Sequence, residues 1–215
     1  MEFIVKTVIF SALFFSSFTG YSQSKPMPLP ADTYENKSIP ELLSSEIKKA
    51  LSYYPELQNT RIDFVFRDNI RNAVMQAQPR VKTLFKKKYK RVYKVKISRY
   101  LTLNDSTMGI EHVPHEILVG WLAHELGHVL DYLDRSSFQM VGFGFKYLTS
   151  KPFLMKAERQ ADTFAIMHGL ADEIVKTKKY ILNQEDLPKE YKDRINRLYI
   201  SPEEVRHIEE EMESI

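Results

Sequence analysis

The segment 121–134, WLAHELGHVLDYLD, contains two histidines four residues apart in an apolar stretch, with a glutamate directly after the first. An α-helix advances about 100° per residue, so residues i and i+4 project in nearly the same direction, one turn apart. His124 and His128 are therefore spaced to bind one metal ion. Glu125 is placed to reach a metal-bound water without binding the metal itself. The alternative is an ordinary buried helix, and the rest of the chain has to decide between the two.

Two of the three candidates for a third metal ligand have specific weaknesses. A catalytic zinc site usually has three protein ligands and keeps one position for water. Asp134 lies six residues after His128, but the helix would have to break at residue 131, which is not a glycine. His168 precedes Gly169 at a predicted helix end, where a capping histidine is common.

Glu158 is the preferred third ligand. It lies on an amphipathic helix predicted over residues 156–167, and Asp162 follows it by four residues, so both carboxylates face the same way. One carboxylate can bind the metal while the other accepts a hydrogen bond from a ligand imidazole. Alone, this pair would indicate a solvated helix face. Beside HELGH it indicates a metal ligand, Glu158, and a supporting residue, Asp162.

Length and composition favour one packed domain. The chain has 215 residues, of which 43% are hydrophobic and 12% aromatic, and no cysteine. Its net charge of +3 is too small to indicate nucleic-acid binding. Residues 1–22 have the pattern of a secretory signal peptide, and an uncleaved N-terminal anchor is the alternative. Residues 23–39 contain three prolines and are predicted to be a flexible leader, which leaves 40–215 as the domain.

Hydrophobic periodicity predicts strands in the first part of this domain and helices in the second. Strands are predicted at 61–67, 78–85 and 91–99, after a helix at 40–54. Further helices are predicted at 114–134, 138–148, 156–167, 171–182, 189–198 and 202–212. Strands followed by helices indicate an α+β fold. We expect an antiparallel sheet of three or more strands followed by a helical zinc-binding half.

HELGH with a downstream Glu158-x-x-x-Asp162 resembles the gluzincin zinc metallopeptidases, especially their minimal soluble members. The resemblance covers about residues 60–170, with specific motifs in two short segments. It implies a zincin-like fold in which His124, His128 and Glu158 bind Zn²⁺. It also implies that Glu125 is the general base and that Asp162 supports a ligand.

The chain departs from the family at the residue that stabilises the oxyanion. Family members often use a tyrosine, histidine or arginine there, and no motif identifies it in this sequence. The candidates are Tyr191, Tyr199, His168 and His207.

The function expected from these features is a secreted zinc-dependent endopeptidase. A zinc-activated water would attack the peptide bond with Glu125 as general base. The expected partner is a protein or peptide substrate, with no nucleic acid and no transmembrane segment in the mature chain. The alternative is a catalytically silent zinc-containing binding or structural protein of the cell envelope. The presence of Glu125 favours the peptidase, since a structural site needs no base there.

Two charged segments have open interpretations. The lysine-rich region 82–96 is interpreted either as a solvated sheet face that discourages aggregation or as a site for an anionic partner. The acidic segment 203–213 is predicted to be a helix that docks on the domain, with a carboxylate covering the zinc as the alternative.

Overall fold

A computed structural model describes residues 34–68, 70 and 73–214. The predicted signal peptide at 1–22 and the leader up to residue 33 lie outside the described residues. The end of the predicted leader lies inside them, and Lys37–Ser38 forms a strand that pairs with Ile62 and Asp63. The domain therefore begins earlier than residue 40.

The described strands form two sheets. The strands are β1 (Lys37–Ser38), β2 (Arg61–Arg67), β3 (Met75–Pro79), β4 (Val92–Ser98), β5 (Tyr100–Thr102) and β6 (Thr107–Gly109). The larger sheet has the order β1-β2-β4-β3, and β5 pairs with β6 in a small antiparallel ribbon.

The expectation of an antiparallel sheet is wrong for the larger sheet, which is mixed. Strand β2 runs parallel to both β1 and β4, and only β3 runs antiparallel to its neighbour β4. After β2 the chain crosses to the opposite edge of the sheet, where it forms β3. It then returns as β4, which lies between β2 and β3. Alternating apolar residues determine which face of a strand is buried, but they do not determine the order of the strands.

Two of the three predicted strands are confirmed and one is wrong. The strand at 61–67 is confirmed, and the one at 91–99 is confirmed as Val92–Ser98. The strand predicted at 78–85 is wrong, because the observed strand ends at Pro79 and a 3-10 turn follows at Val81–Thr83. Proline cannot donate to a ladder, so it is typical of a strand end or an edge strand. Strand β3 is such an edge.

Helices dominate the second half, as predicted. They are α1 (Ser44–Ser52), α2 (His115–Leu133), α3 (Ser137–Thr149), α4 (Lys151–Met167), α5 (Ala171–Asn183), α6 (Lys189–Leu198) and α7 (Pro202–Glu213). Helix α4 begins earlier than expected because Ser150 caps it and Pro152 occupies its first turn. The broad class, α+β, is confirmed.

Helix α2 is the central element of the core. Every residue from Ile117 to Val129 is buried. The helix contacts α1, α4, α5 and strand β3. The hydroxyl of Tyr54 donates to the carbonyl oxygen of Ala123 at 2.7 Å, which joins the end of α1 to the middle of α2. The HELGH segment therefore lies in the interior of the domain, packed against four other elements.

Two glycines allow helices to approach α2 closely. A Cβ on Gly127 would lie 2.5 Å from the carbonyl oxygen of Ala161 in α4. A Cβ on Gly120 would lie 2.5 Å from the carbonyl oxygen of Glu173 and 2.1 Å from Oγ1 of Thr177, both in α5. Backbone atoms cannot move aside as a side chain can, so both positions require glycine.

None of the helices in the described residues is both long enough and apolar enough to cross a bilayer.

Substituting alanine at two glycines should have opposite effects on stability. Gly120→Ala places a methyl group against the backbone of α5 and should destabilise the protein by about 1–3 kcal/mol, the usual cost of overpacking. Gly142→Ala in α3 meets no atom within 4 Å. This control should stabilise the helix by about 0.5–1 kcal/mol. Urea denaturation measures both; a neutral Gly120→Ala would contradict the close packing.

Candidate metal centre

Three buried side chains from α2 and α4 converge at one point. The potential ligand atoms of His124, His128 and Glu158 all lie within 4.8 Å of one another. Oε2 of Glu158 lies 3.2 Å from Nε2 of His124 and 3.7 Å from Nε2 of His128. The three residues predicted as ligands therefore lie close enough together to hold a metal ion.

Asp162 fixes the orientation of the first histidine. Its Oδ1 lies 2.9 Å from Nδ1 of His124, which leaves Nε2 directed at Glu158. Its Oδ2 accepts hydrogen bonds from Nζ of Lys178 at 2.7 Å and from the backbone N–H of Ile200 at 3.1 Å. A carboxylate behind a ligand imidazole selects the tautomer and holds the ring in place. The sequence predicted this contact for Asp162 but did not predict Lys178.

The cluster is strongly polarised before any metal is considered. Burial by itself lowers the pKa of His124, but Asp162 and Glu158 outweigh it and raise the pKa to about 10. Burial likewise opposes ionisation of Glu158, yet the two imidazoles hold its pKa well below the ordinary value. The raised pKa favours the protonated ring of His124, and a metal ion bound at Nε2 would have to displace that proton.

The donor set fits a small divalent transition metal. Two imidazole nitrogens and one carboxylate oxygen are ligands that zinc and its neighbours accept, whereas Mg²⁺ and Ca²⁺ prefer oxygen alone. Nδ1 of His128 is buried without a hydrogen-bond partner among the described residues. Its Nε2, like that of His124, faces Glu158 and is the nitrogen available to a metal.

Glu125 lies outside the group of three ligands. It is buried, and its Oε2 accepts a hydrogen bond from the backbone N–H of Ala77 in β3. Burial raises the pKa of its carboxyl, although the two neighbouring imidazoles oppose the shift. A carboxyl group with a raised pKa beside a metal centre is suited to exchanging protons. Sequence reasoning did not identify Ala77 as its partner, because that contact depends on the position of β3.

Aromatic side chains enclose the site, and the sequence did not predict most of them. The hydroxyl of Tyr147 in α3 donates to Oε1 of Glu158. The ring of Tyr132 stacks on that of His128 with centroids 6.1 Å apart. The ring of Tyr199 lies 5.2 Å from that of His124. Tyr132 is one turn after His128 on α2, so helical spacing could have identified it; Tyr147 lacked any such signal.

The candidates for oxyanion stabilisation separate into two groups. Tyr191 and Tyr199 line a cavity of about 50 Å³ together with His124 and Glu125. His168 instead bonds to the carbonyl oxygen of Phe164 and to Glu56, and its ring stacks on Tyr54.

Two other candidates lie outside the site. His207 is exposed and lies 3.2 Å from Glu211. Asp134, the rejected third ligand, is an exposed residue whose carbonyl accepts a hydrogen bond from Lys88.

The acidic C-terminal helix docks on the domain. Helix α7 contacts α5 and α4, and Glu204 pairs with Arg159 at 2.7 Å. Glu209 and Glu211 pair with residues of α7 itself. These three carboxylates have partners away from the metal centre.

No protein-family model matches this chain, and no curated protein or solved structure is significantly similar to it. The metal centre therefore has to be interpreted from its own geometry.

Metal binding should depend on Glu158 and not on Asp134. Glu158→Ala removes one of three converging ligands and should weaken the binding of Zn²⁺ or Co²⁺ by orders of magnitude. Asp134→Ala, the matched loss of an exposed carboxylate, should leave it unchanged. Isothermal titration of metal-free protein measures both affinities. Equal affinities for Glu158→Ala and the parent protein would show that Glu158 is not a ligand.

The buried pair of Lys178 and Asp162 should matter far more to stability than an exposed pair. Lys178→Met leaves Asp162 buried without its cation and should cost about 3–5 kcal/mol, as is usual when a buried ion pair loses one partner. Lys189→Met breaks the exposed pair with Asp193 and should have no measurable effect. Denaturant unfolding of the metal-free variants compares them. If both variants lose similarly little unfolding free energy, water must solvate the Asp162 carboxylate in place of Lys178.

Proposed function

We propose that the protein is a zinc-dependent endopeptidase. The observation that carries the proposal is the combination of three converging ligand side chains with a fourth, Glu125, that is adjacent but outside the group. A purely structural zinc site normally closes its fourth position with another ligand. Here the three side chains would hold the ion and leave its fourth position to water or substrate, with the Glu125 carboxylate nearby.

The chemistry divides between the ion and the chain. Bound Zn²⁺ would lower the pKa of a water molecule and polarise a substrate carbonyl. Glu125 would take the proton from that water and deliver it to the departing amine nitrogen. Its Oε2 is engaged by Ala77, so Oε1 is the oxygen that exchanges the proton. Burial raises the pKa of this carboxyl, which suits it to exchanging a proton.

The free edge of the sheet supports an extended peptide as the substrate. Ser98 donates its backbone N–H to the carbonyl oxygen of Val74, and Arg80 donates its N–H to that of Val92. The residues between them alternate, so the backbone groups of Met75 and Ala77 face away from β4. An added strand could pair with the outward backbone groups of Met75 and with the carbonyl oxygen of Ala77, whose N–H is already donated to Glu125. Pairing with a sheet edge is a common mode of peptide recognition. The Ala77 contact places the edge directly beside Glu125.

Tyr191 is the better supported of the two tyrosines as the donor to the oxyanion. Burial raises the pKa of Tyr191; Arg194 opposes the rise and the carboxylates of Glu125 and Glu158 add to it. Tyr191 also lines the same cavity as Glu125. It makes no hydrogen bond with another described residue. Burial also raises the pKa of Tyr199, and the hydroxyl of Tyr199 interacts with the ligand Glu158. A hydroxyl engaged by a ligand is less available to a developing charge.

Export stays a prediction, because the N-terminal segment lies outside the described residues. The alternative function is a zinc protein without catalytic turnover. It would use the same metal centre but would not need Glu125 as a base. Substituting Glu125 distinguishes the two functions.

Glu125→Gln should abolish hydrolysis while leaving the metal in place. The amide has the same size and can still accept the Ala77 hydrogen bond, but it cannot take a proton. Hydrolysis of a quenched peptide library by the zinc-loaded protein should fall at least about a hundredfold, the scale of general-base catalysis. Zinc content and thermal stability should change little.

The controls for this experiment are the parent protein with a chelator and with zinc restored. A parent protein that holds zinc and cleaves no peptide would favour the silent zinc protein. Loss of zinc from Glu125→Gln would mean that Glu125 is a ligand.

A further inference from the structure

The outer face of α3 is an exposed apolar stripe. Phe138, Val141, Phe145 and Leu148 are 83%, 50%, 69% and 84% exposed. At about 100° per residue, their spacing places all four within an arc of about 80°. Large apolar side chains gathered on one exposed face usually mark an interaction surface, whereas scattered ones are ordinary.

The opposite face of α3 is already packed against the domain. Met140 and Phe143 are buried there, and Tyr147 bonds to Glu158. Phe143 also contacts the rings of Tyr132 and Phe153. The helix therefore cannot rotate to bury its outer stripe without breaking the wall of the metal centre. The stripe has no place in the core of this domain.

A second apolar and basic segment lies beside the N-terminal end of α3. Three side chains between residues 81 and 91 are strongly exposed: Val81 at 75%, Phe85 at 69% and Tyr89 at 73%. Ser137 at the start of α3 donates its hydroxyl to the carbonyl oxygen of Leu84 at 2.8 Å. We call residues 81–91 and 137–156 together the basic apolar surface.

The charge of this surface is of one sign. Its two segments contain nine lysines and arginines and no aspartate or glutamate. Eight of them are exposed lysines, and the ninth, Arg91, is buried and donates to the carbonyl oxygen of Arg135. The exposed ones are Lys82, Lys86, Lys87, Lys88, Lys90, Lys146, Lys151 and Lys156. The whole chain carries only +3, so the remainder is net acidic. The positive charge is concentrated where the exposed apolar side chains are.

We propose that the basic apolar surface docks onto an anionic phospholipid bilayer. An interfacial helix inserts its apolar face between headgroups while adjacent lysines pair with anionic lipids. A second copy of the chain would present the same positive charge and be repelled. Nucleic acid would contact the lysines and the aromatic rings, but it would leave the apolar side chains of Val141 and Leu148 exposed to water. Bilayer docking uses both parts of the surface and does not depend on the metal centre.

The test reports on α3 itself, so that the apolar N-terminal segment cannot account for the result. The chain has no cysteine, so Phe145→Cys gives the full-length protein a single labelling site. A polarity-sensitive fluorophore there should brighten several-fold and shift to shorter wavelength with vesicles of phosphatidylglycerol and phosphatidylcholine. Phosphatidylcholine alone should have little effect. The same label on Leu42→Cys, an exposed apolar residue outside the surface, should stay in water.

The role of the lysines is tested in the labelled protein. Lys86→Gln with Lys87→Gln should weaken partitioning roughly tenfold or more, since each basic residue near an anionic surface contributes to binding. Lys176→Gln with Lys179→Gln removes two exposed lysines of α5 and should not weaken it. All four lysines are exposed, so neither pair of substitutions alters the core, and circular dichroism verifies that both variants fold.

Three outcomes would overturn the proposal. A Phe145→Cys label that stays in water while the protein sediments with vesicles would assign binding to another segment. A label already shielded without vesicles would mean that this chain or a second copy covers the surface. A response to a single-stranded oligonucleotide but not to anionic vesicles would assign the surface to nucleic acid.

Discussion

The close contact between Gly127 and Ala161 is the constraint on which the metal centre depends. It lets the backbones of α2 and α4 approach to a distance that any side chain at 127 would prevent. Only at that distance do Glu158 and Asp162, one turn apart on α4, reach the two sides of the His124 ring. The glycine inside HELGH is thus a packing requirement as well as part of a motif. Gly120 likewise lets α5 approach α2 closely, and Lys178 on α5 then reaches Asp162.

The electrostatics follow from this packing. Three carboxylates, Glu125, Glu158 and Asp162, are buried in the same part of the core, which would be very costly without compensation. Lys178 compensates one of them permanently. The imidazoles of His124 and His128 stabilise the ionised form of Glu158 and hold its pKa low. Such an arrangement is costly to stability compared with an apolar core, and its retention in the centre of the domain indicates a function that needs charge there.

Features set by local spacing could be predicted from the sequence, and features set by long-range pairing could not. The i, i+4 pairs of α2 and α4 identified His124, His128, Glu158 and Asp162, because helical periodicity alone determines which side chains share a face. The prediction of an antiparallel sheet failed, since alternation does not determine which strands pair or in which direction they run. The contacts of Tyr147, Lys178 and Ala77 were missed for the same reason. Each comes from an element whose position is set by tertiary packing.

Helix α3 shows the limit of periodicity most clearly. Its apolar residues lie on two opposite faces, so a sequence pattern identifies a helix at 138–148 but does not identify the buried side. A helix that is hydrophobic all round is normally enclosed by a core or by lipid. The domain encloses only one face of α3, through Phe143 and Tyr147, and solvent meets the other. A contiguous apolar face left in solvent usually marks an interaction surface, which supports the proposed docking of α3. The surrounding lysines make an anionic surface the partner that matches both the apolar and the charged side chains.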